Sequence, residues 1–198
     1  MFENLSAAII AGGKSARFGE HKGLAVLNSR QMIDYSIALA KEIGFSQFLV
    51  YGKENYFDQI DIPCYSDIIP HCGPMGGIYT ALVKAQTNLV ATIPCDMPFL
   101  TAEVYRLLYD NYGENKPVIA VSENGVESLV AIWPKTYESK LRDAIHKKVF
   151  TIHAFIQNND IPKISIPELM PDYEEKIFLN INTKEDLAAI QKNSYWSK

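Results

Sequence analysis

The sequence predicts an α/β fold built on a mostly parallel sheet with at least one antiparallel strand. Three observations carry this reading. Short β-branched or apolar runs alternate with amphipathic stretches as far as residue 112, the rhythm of strand–helix–strand crossovers. Several of those runs end in glycines or a carboxylate, as expected where sites form at the C-terminal ends of parallel strands. Further on, β-like runs over 117–122 and 127–133 flank Glu123-Asn124-Gly125-Val126, whose central Asn-Gly suits a hairpin. One of these two strands is therefore expected to run against the rest.

Taken in order, residues 5–10 form a buried first strand that ends at Ala11-Gly12-Gly13. Residues 31–43 place Ile33, Ile37, Leu39 and Ala40 on one side of an amphipathic helix, and Gly44 stands where a C-cap glycine belongs. A second strand is expected over 47–51, a helical turn over 55–60 and a short third strand over 62–66, ending at Asp67. Gly73-Pro74-Met75-Gly76-Gly77-Ile78 opens a helix to about residue 86. Residues 88–93 are strongly β-like and lead into Pro94-Cys95-Asp96-Met97-Pro98. Thr101 is a good N-cap for a helix to about residue 112, with Glu103 in its first turn. After the hairpin, 134–145 and 150–158 read as helices, 161–166 as a strand and 177–181 as a last short strand. Thr183 and Asp186 have the spacing of a capping box and open a final helix to about residue 192. With no repeat, low-complexity tract or linker, residues 1–198 are expected to form a single domain.

Composition narrows the partners. The chain has 198 residues, 47% apolar and 21% charged, with 19 basic and 23 acidic side chains for a net charge of −4. Such a surface should attract neither nucleic acid nor anionic membrane. No apolar stretch approaches the ~20 residues that span a bilayer, and Met1-Phe2-Glu3-Asn4 does not open a signal peptide, so a cytoplasmic protein is expected. Cys64, Cys72 and Cys95 are odd in number and lack paired spacing, which favours reduced thiols over a metal cluster with His71.

The chemistry centres on the first loop. Two glycines bring bare N–H groups close to a ligand, and Lys14, Arg17 and Lys22 face only Glu20 in opposition, which suggests a phosphate site. The P-loop pattern fails because position 8 is alanine, and the dinucleotide fingerprint fails because Lys14 follows Gly13. Asp96, between two prolines at a strand end, could hold a hard cation such as Mg²⁺ or simply start the turn before Thr101. The glycines after Asp67 could approach a base or ribose, or merely begin a helix. Asn180 and Asn182 would share one face of a strand and offer amides to a heterocycle, or else cap the last helix. Lys147-Lys148 is either a solvated pair or a contact for a second anionic substrate. His21, His146 and His153 have no spaced partner.

Together these segments resemble the molybdenum cofactor guanylyltransferases. The matching stretches are Ile10-Ala11-Gly12-Gly13-Lys14-Ser15-Ala16-Arg17-Phe18-Gly19-Glu20-His21-Lys22, then Gly73-Pro74-Met75-Gly76-Gly77-Ile78, then Pro94-Cys95-Asp96-Met97-Pro98-Phe99-Leu100, and finally Phe178-Leu179-Asn180-Ile181-Asn182-Thr183-Lys184-Glu185-Asp186-Leu187. Their order and spacing span nearly the whole chain. The resemblance implies a Rossmann-like nucleotidyltransferase domain with helices on both faces of its sheet. It would bind GTP at about 5–100 and its acceptor at about 117–192. It implies that Ile10, Ala11, Gly12, Gly13, Lys22 and Asp67 contact the nucleotide. Arg17, Lys22 and Asp96 would be catalytic, Asp96 would ligate Mg²⁺, and Asn180 and Asn182 would belong to the pterin side, with Lys148 a further candidate for the acceptor. The implied reaction transfers GMP from GTP to molybdenum-bearing molybdopterin, with molybdoenzyme chaperones or other cofactor-biosynthesis proteins as further partners. Four departures stand out: Phe18 for Met, His21 for Asp, Lys184 for Pro, and Glu127-Ser128-Leu129 where the family usually has a polar residue followed by Pro. A cytidylyltransferase acting on molybdopterin or a sugar-alcohol phosphate, and a non-catalytic nucleotide sensor, are the alternative readings.

Overall fold

The structure, a computed structural model, describes residues 2–12, 22–52, 56–113, 115–149 and 151–192. Its centre is β1 (Phe2–Ile10), an apolar strand that pairs in parallel with β4 (Gly44–Tyr51) on one side and β6 (Leu89–Pro94) on the other. β4 carries the short edge strand β5 (Cys64–Ser66), also parallel. Beyond β6 lie β8 (Gly125–Pro134), β7 (Val118–Ser122) and β9 (Lys163–Ser165), so the order is β5-β4-β1-β6-β8-β7-β9. β8 is antiparallel to both its neighbours, whereas β7 and β9 are parallel to each other. The expected reversal is therefore β8. A two-stranded ribbon, β2 (Val26–Leu27) with β3 (Arg30–Gln31), sits apart from this sheet.

Helices cover both faces because both faces of the strands are apolar. Leu5, Ala7 and Ile9 of β1 join one core with α1 (Met32–Ile43), α3 (Ala102–Asp110) and the single turn α6 (Ile166–Leu169). Ala8 and Ile10 join a second core with α2 (Pro74–Lys84), α4 (Glu138–His146) and α5 (Ile152–Asn158). Near-continuous apolar strands are what a sheet buried on both sides requires. A third, small core gathers Ala25, Leu27, Met32, Ile181 and Ile190, joining the ribbon to α7 (Lys184–Lys192).

One local expectation holds in an unexpected form and two change. Gly44 does cap α1, its N–H donating to Ala40 O, but it is extended at φ −96°, and the chain passes directly from α1 into β4. A Cβ there would lie 2.6 Å from that of Ala7, so glycine lets two adjacent strands meet. Residues 56–60 make a tight turn, with the Ile60 N–H donating to Phe57 O at 3.1 Å, and residue 55 lies outside the described residues. The strand expected over 177–181 is a 3-10 turn, Glu175–Phe178, followed by irregular chain. Ile177 and Phe178 enter the first core and Ile181 the third, so this alternation records docking between cores and no sheet ladder.

Candidate active site

The strand order reverses direction between β1 and β6: the chain builds outward through β4 and β5, then α2 returns it to the other side of β1. Ligands of open α/β sheets bind in the crevice at such a reversal, at the C-terminal strand ends. Here Ile10 is in register with Pro94 and Val50, and the Ala11 N–H donates to Val50 O at 2.8 Å. Ala11-Gly12 and Asp96 thus emerge side by side.

The loop bearing Asp96 is held at both ends. Ser36 Oγ of α1 donates to Pro94 O at 3.1 Å, and the Ile181 N–H donates to Asp96 O at 2.9 Å. Within it, burial pushes the Cys95 thiol up to about 12, which keeps it neutral beside the carboxylate. Lys22 Nζ forms an ion pair with Asp96 Oδ2, and both side chains are largely buried, at 21% and 13% exposed. The same ammonium donates to Asn182 Oδ1 at 3.4 Å. Lys22 is placed by a short 3-10 turn, Lys22–Leu24, that leads into the ribbon. Asn182 is placed by the capping box: Asp186 Oδ2 accepts from the Asn182 and Thr183 N–H groups at 2.9 Å each, while the Asp186 N–H donates to Thr183 Oγ1 at 3.0 Å. These bonds hold the Asp186 carboxyl below its ordinary range. Gln191 Nε2 of α7 also donates to Val26 O at 3.0 Å, so the small third core locks the Lys22 turn to the segment bearing Asn182.

A glycine cradle surrounds Asp67, directly after β5, whose N–H donates to Tyr51 O at 2.8 Å. Cβ atoms on Gly12, Gly76 and Gly77 would lie 3.9, 3.6 and 3.9 Å from its carboxylate oxygens. A Cβ on Gly76 would lie only 2.8 Å from Ile69 O, and one on Gly77 3.0 Å from Ile10 Cγ2, so these two glycines seat α2 against the strand ends. Gly73 begins that helix at φ +55°, ψ −143°, a backbone that only glycine adopts without strain. Asp67 Oδ1 is buried with no hydrogen-bond partner, and burial pushes the carboxyl up to about 6. A buried carboxylate oxygen left without a donor is uncommon, and it marks Asp67 as a candidate for a ligand's N–H or O–H.

On the other side of Asp96 lies a cavity of about 500 Å³. Met97, Phe178 and Leu179 give it apolar walls, Asn124 and Asn180 amides, and Glu127, Glu174, Glu175 and Lys176 charge. Because β8 is antiparallel to β6, with Ala131 opposite Thr92, its N-terminal end carries Glu127 to the site end of the sheet. Ser122 Oγ donates to Glu127 Oε1 at 2.6 Å. Burial raises the Glu127 carboxyl, the Ser122 bond opposes that, and the charge of Asp96 adds to the rise. Among the described residues, no three His, Cys, Asp or Glu side chains converge as a metal cage. Mg²⁺ does not need one, since it is commonly held by one or two carboxylates with substrate phosphates. Asp96 supplies one such carboxylate, and the ammonium of Lys22 stands where a cation would pair with it.

The family model of the MobA-like NTP transferase domain matches residues 7–160. The chain belongs to this family. A Carboxydothermus hydrogenoformans protein named "Probable molybdenum cofactor guanylyltransferase" is 29% identical over 191 residues, covering 96% of each chain. A Thermococcus gammatolerans protein of the same name is 30% identical over 93% of this chain and 98% of its own. The crystal structure of molybdopterin-guanine dinucleotide biosynthesis protein A from Archaeoglobus fulgidus superposes with a TM-score of 0.79 at 22% identity, over 94% of this chain and 96% of that one, and so shares the fold.

Within this MobA-like frame the expected site residues divide. Ile10, Ala11, Gly12, Lys22, Asp67 and Asp96 all stand at one end of the sheet, and Asn182 joins them although its segment is not a strand. Asn180 lines the cavity, with its Oδ1 buried and unpartnered, and does not share a strand face with Asn182. Lys148 is exposed in the turn after α4, at φ +61°, and is not among the described residues that line the cavity. Gly13, Lys14, Arg17, Glu20 and His21 lie outside the described residues. The residue that motif reading missed is Glu127: its departure from the family pattern was visible, but its neighbours depended on which strand β8 would join. No helix among the described residues is long and apolar enough to cross a membrane.

Proposed function

We propose that this protein transfers GMP from GTP to molybdopterin bearing its metal, forming molybdopterin guanine dinucleotide and pyrophosphate. One observation carries the reading beyond the family: Lys22, Asp96 and Asn182 meet at the strand-order reversal, between a glycine cradle and a cavity sized for a second substrate. The terminal phosphate of molybdopterin attacks the α-phosphorus of GTP, forming a new P–O bond while the bond to pyrophosphate breaks. The nucleophile is already an anion, so no general base is required, and the protein's task is positioning and charge neutralisation. The backbone N–H groups of the first loop and Lys22 hold phosphate oxygens, with Arg17 assigned the same work from sequence. Asp67 accepts from the nucleoside. Asp96 is the residue that would hold Mg²⁺, which when bound offsets charge on the phosphates. Asn180 and Asn182 line the acceptor side. In this assignment one domain carries nucleotide sites in its first half and acceptor sites in its last third. We assign the reaction to the cytoplasm, where GTP is supplied.

Pyrophosphate release, measured with each nucleoside triphosphate with and without molybdopterin, tests this. Release that needs GTP, Mg²⁺ and molybdopterin together is expected. Release with CTP in place of GTP would overturn the nucleotide assignment, and absence of release with every triphosphate would return the chain to a binding role.

A further inference from the structure

We propose that Glu127 determines acceptor specificity: its carboxylate reads the 2-amino, ring N–H edge of the pterin in the cavity beside Asp96. This rests on the guanylyl-transfer reading and adds a residue and a direction to it. Charge sets the direction. Glu127, Glu174 and Glu175 face the cavity against one ammonium, Lys176, which is itself 2.8 Å from Glu174 Oε2. A phosphate would be repelled there, so the acceptor's phosphate lies toward Lys22 and its opposite end fills the cavity. That end must suit carboxylates: Glu127, Glu174 and Glu175 outnumber Lys176 along the wall, and an N–H edge offers them donors. A 2-amino-4-oxopyrimidine ring presents two N–H groups side by side, which match the two oxygens of a carboxylate.

Glu127 is built to receive such an edge. Ser122 Oγ donates to its Oε1 at 2.6 Å and accepts from the Asn124 N–H at 3.1 Å, so the hairpin itself orients the carboxylate. Met97, Phe178 and Leu179 form the apolar flanks against which a flat ring can lie. Half-buried, the carboxylate keeps a raised affinity for protons, and a pair of N–H donors would satisfy the same demand without neutralising it. Guanine carries the same edge. The nucleotide, however, has its own carboxylate at Asp67, whose Oδ1 lacks a partner, across β4, β1 and β6 from the cavity.

The test uses the full-length protein and Glu127→Gln, with Glu127→Ala as a second variant and thermal melting to verify the fold. Removing a charged hydrogen-bond acceptor should raise the KM for molybdopterin by about 10- to 100-fold and leave the KM for GTP within about twofold. A readout independent of turnover is equilibrium binding of pterin against lumazine, which carries oxygen in place of the 2-amino group. Wild type should prefer pterin by about tenfold or more, and Glu127→Gln, whose amide can donate to that oxygen, should erase the preference. An unchanged molybdopterin KM, a rise in the GTP KM instead, or a pterin preference kept by Glu127→Gln would each overturn the proposal. Should wild type release no pyrophosphate, the binding arm still decides the edge recognition, and guanylyl transfer alone falls.

Discussion

The two flanks of β6 build their parts of the site by different means. On the β1 side every strand is parallel, and each functional residue stands within two positions of a strand's end: Gly12 after β1, Asp67 after β5, Asp96 after β6. On the β8 side the site is assembled from a hairpin and a C-terminal segment without strand structure, and Glu127 and Asn182 reach it only through tertiary packing. The first flank follows a rule of the fold. The second depends on docking.

The largest test of that contrast is at the boundary itself. Asp96→Asn and Lys22→Ala should each lower turnover at least ~10²-fold, the scale of losing a preorganised contact to developing charge. Pyrophosphate-release kinetics check this, and near-normal rates in either variant would remove that residue from the chemistry. Next come the glycines of the parallel flank. Gly44→Ala should destabilise by about 1–3 kcal/mol, because a Cβ would lie 2.6 Å from Ala7 Cβ, yet leave the GTP Kd of the folded protein unchanged. Gly76→Ala should cost a similar amount and also weaken GTP, since its Cβ would press on Ile69 O beside the Asp67 cradle. Chemical denaturation and nucleotide titration separate the two effects.

Asp67→Asn should show stability and function pulling apart. The native carboxyl, raised from 3.8 to about 6, binds its proton more tightly than the unfolded chain does. Stability therefore falls as pH rises between those values, and the whole deficit is present above pH 6. Asparagine has no such deficit, so the variant should gain about 1 kcal/mol at pH 7.5, discounted for partial solvation, and nothing near pH 3.5. A melting temperature higher by about 2–4 °C at pH 7.5, with weaker GTP binding, is the expected pair. The smallest effect should come from Lys148→Ala. In its exposed turn after α4, this lysine should change neither substrate's KM by more than about twofold, and steady-state kinetics would expose a larger role.

Much of the parallel flank was legible because its signals are local. An apolar run followed by glycines or a carboxylate states both the strand and its end, and Asp186 capping Thr183 states a helix start. Gly44 caps α1 as its position suggests, but its second task, close packing on Ala7, is invisible until the strands are paired. Residues 177–181 misled because alternating apolar residues satisfy a sheet or two separate cores equally well.

By itself, then, the sequence determined the α/β rhythm, the buried first strand, the carboxylates at strand ends and the reversal announced by Asn124-Gly125. Only the tertiary structure decided that β8 pairs with β6, that Lys22 meets an amide 160 residues away, and that Glu127 faces a cavity. The reason is physical. Turns, caps and periodicity are set by neighbouring residues, whereas strand order and core docking depend on which distant surfaces bury one another best.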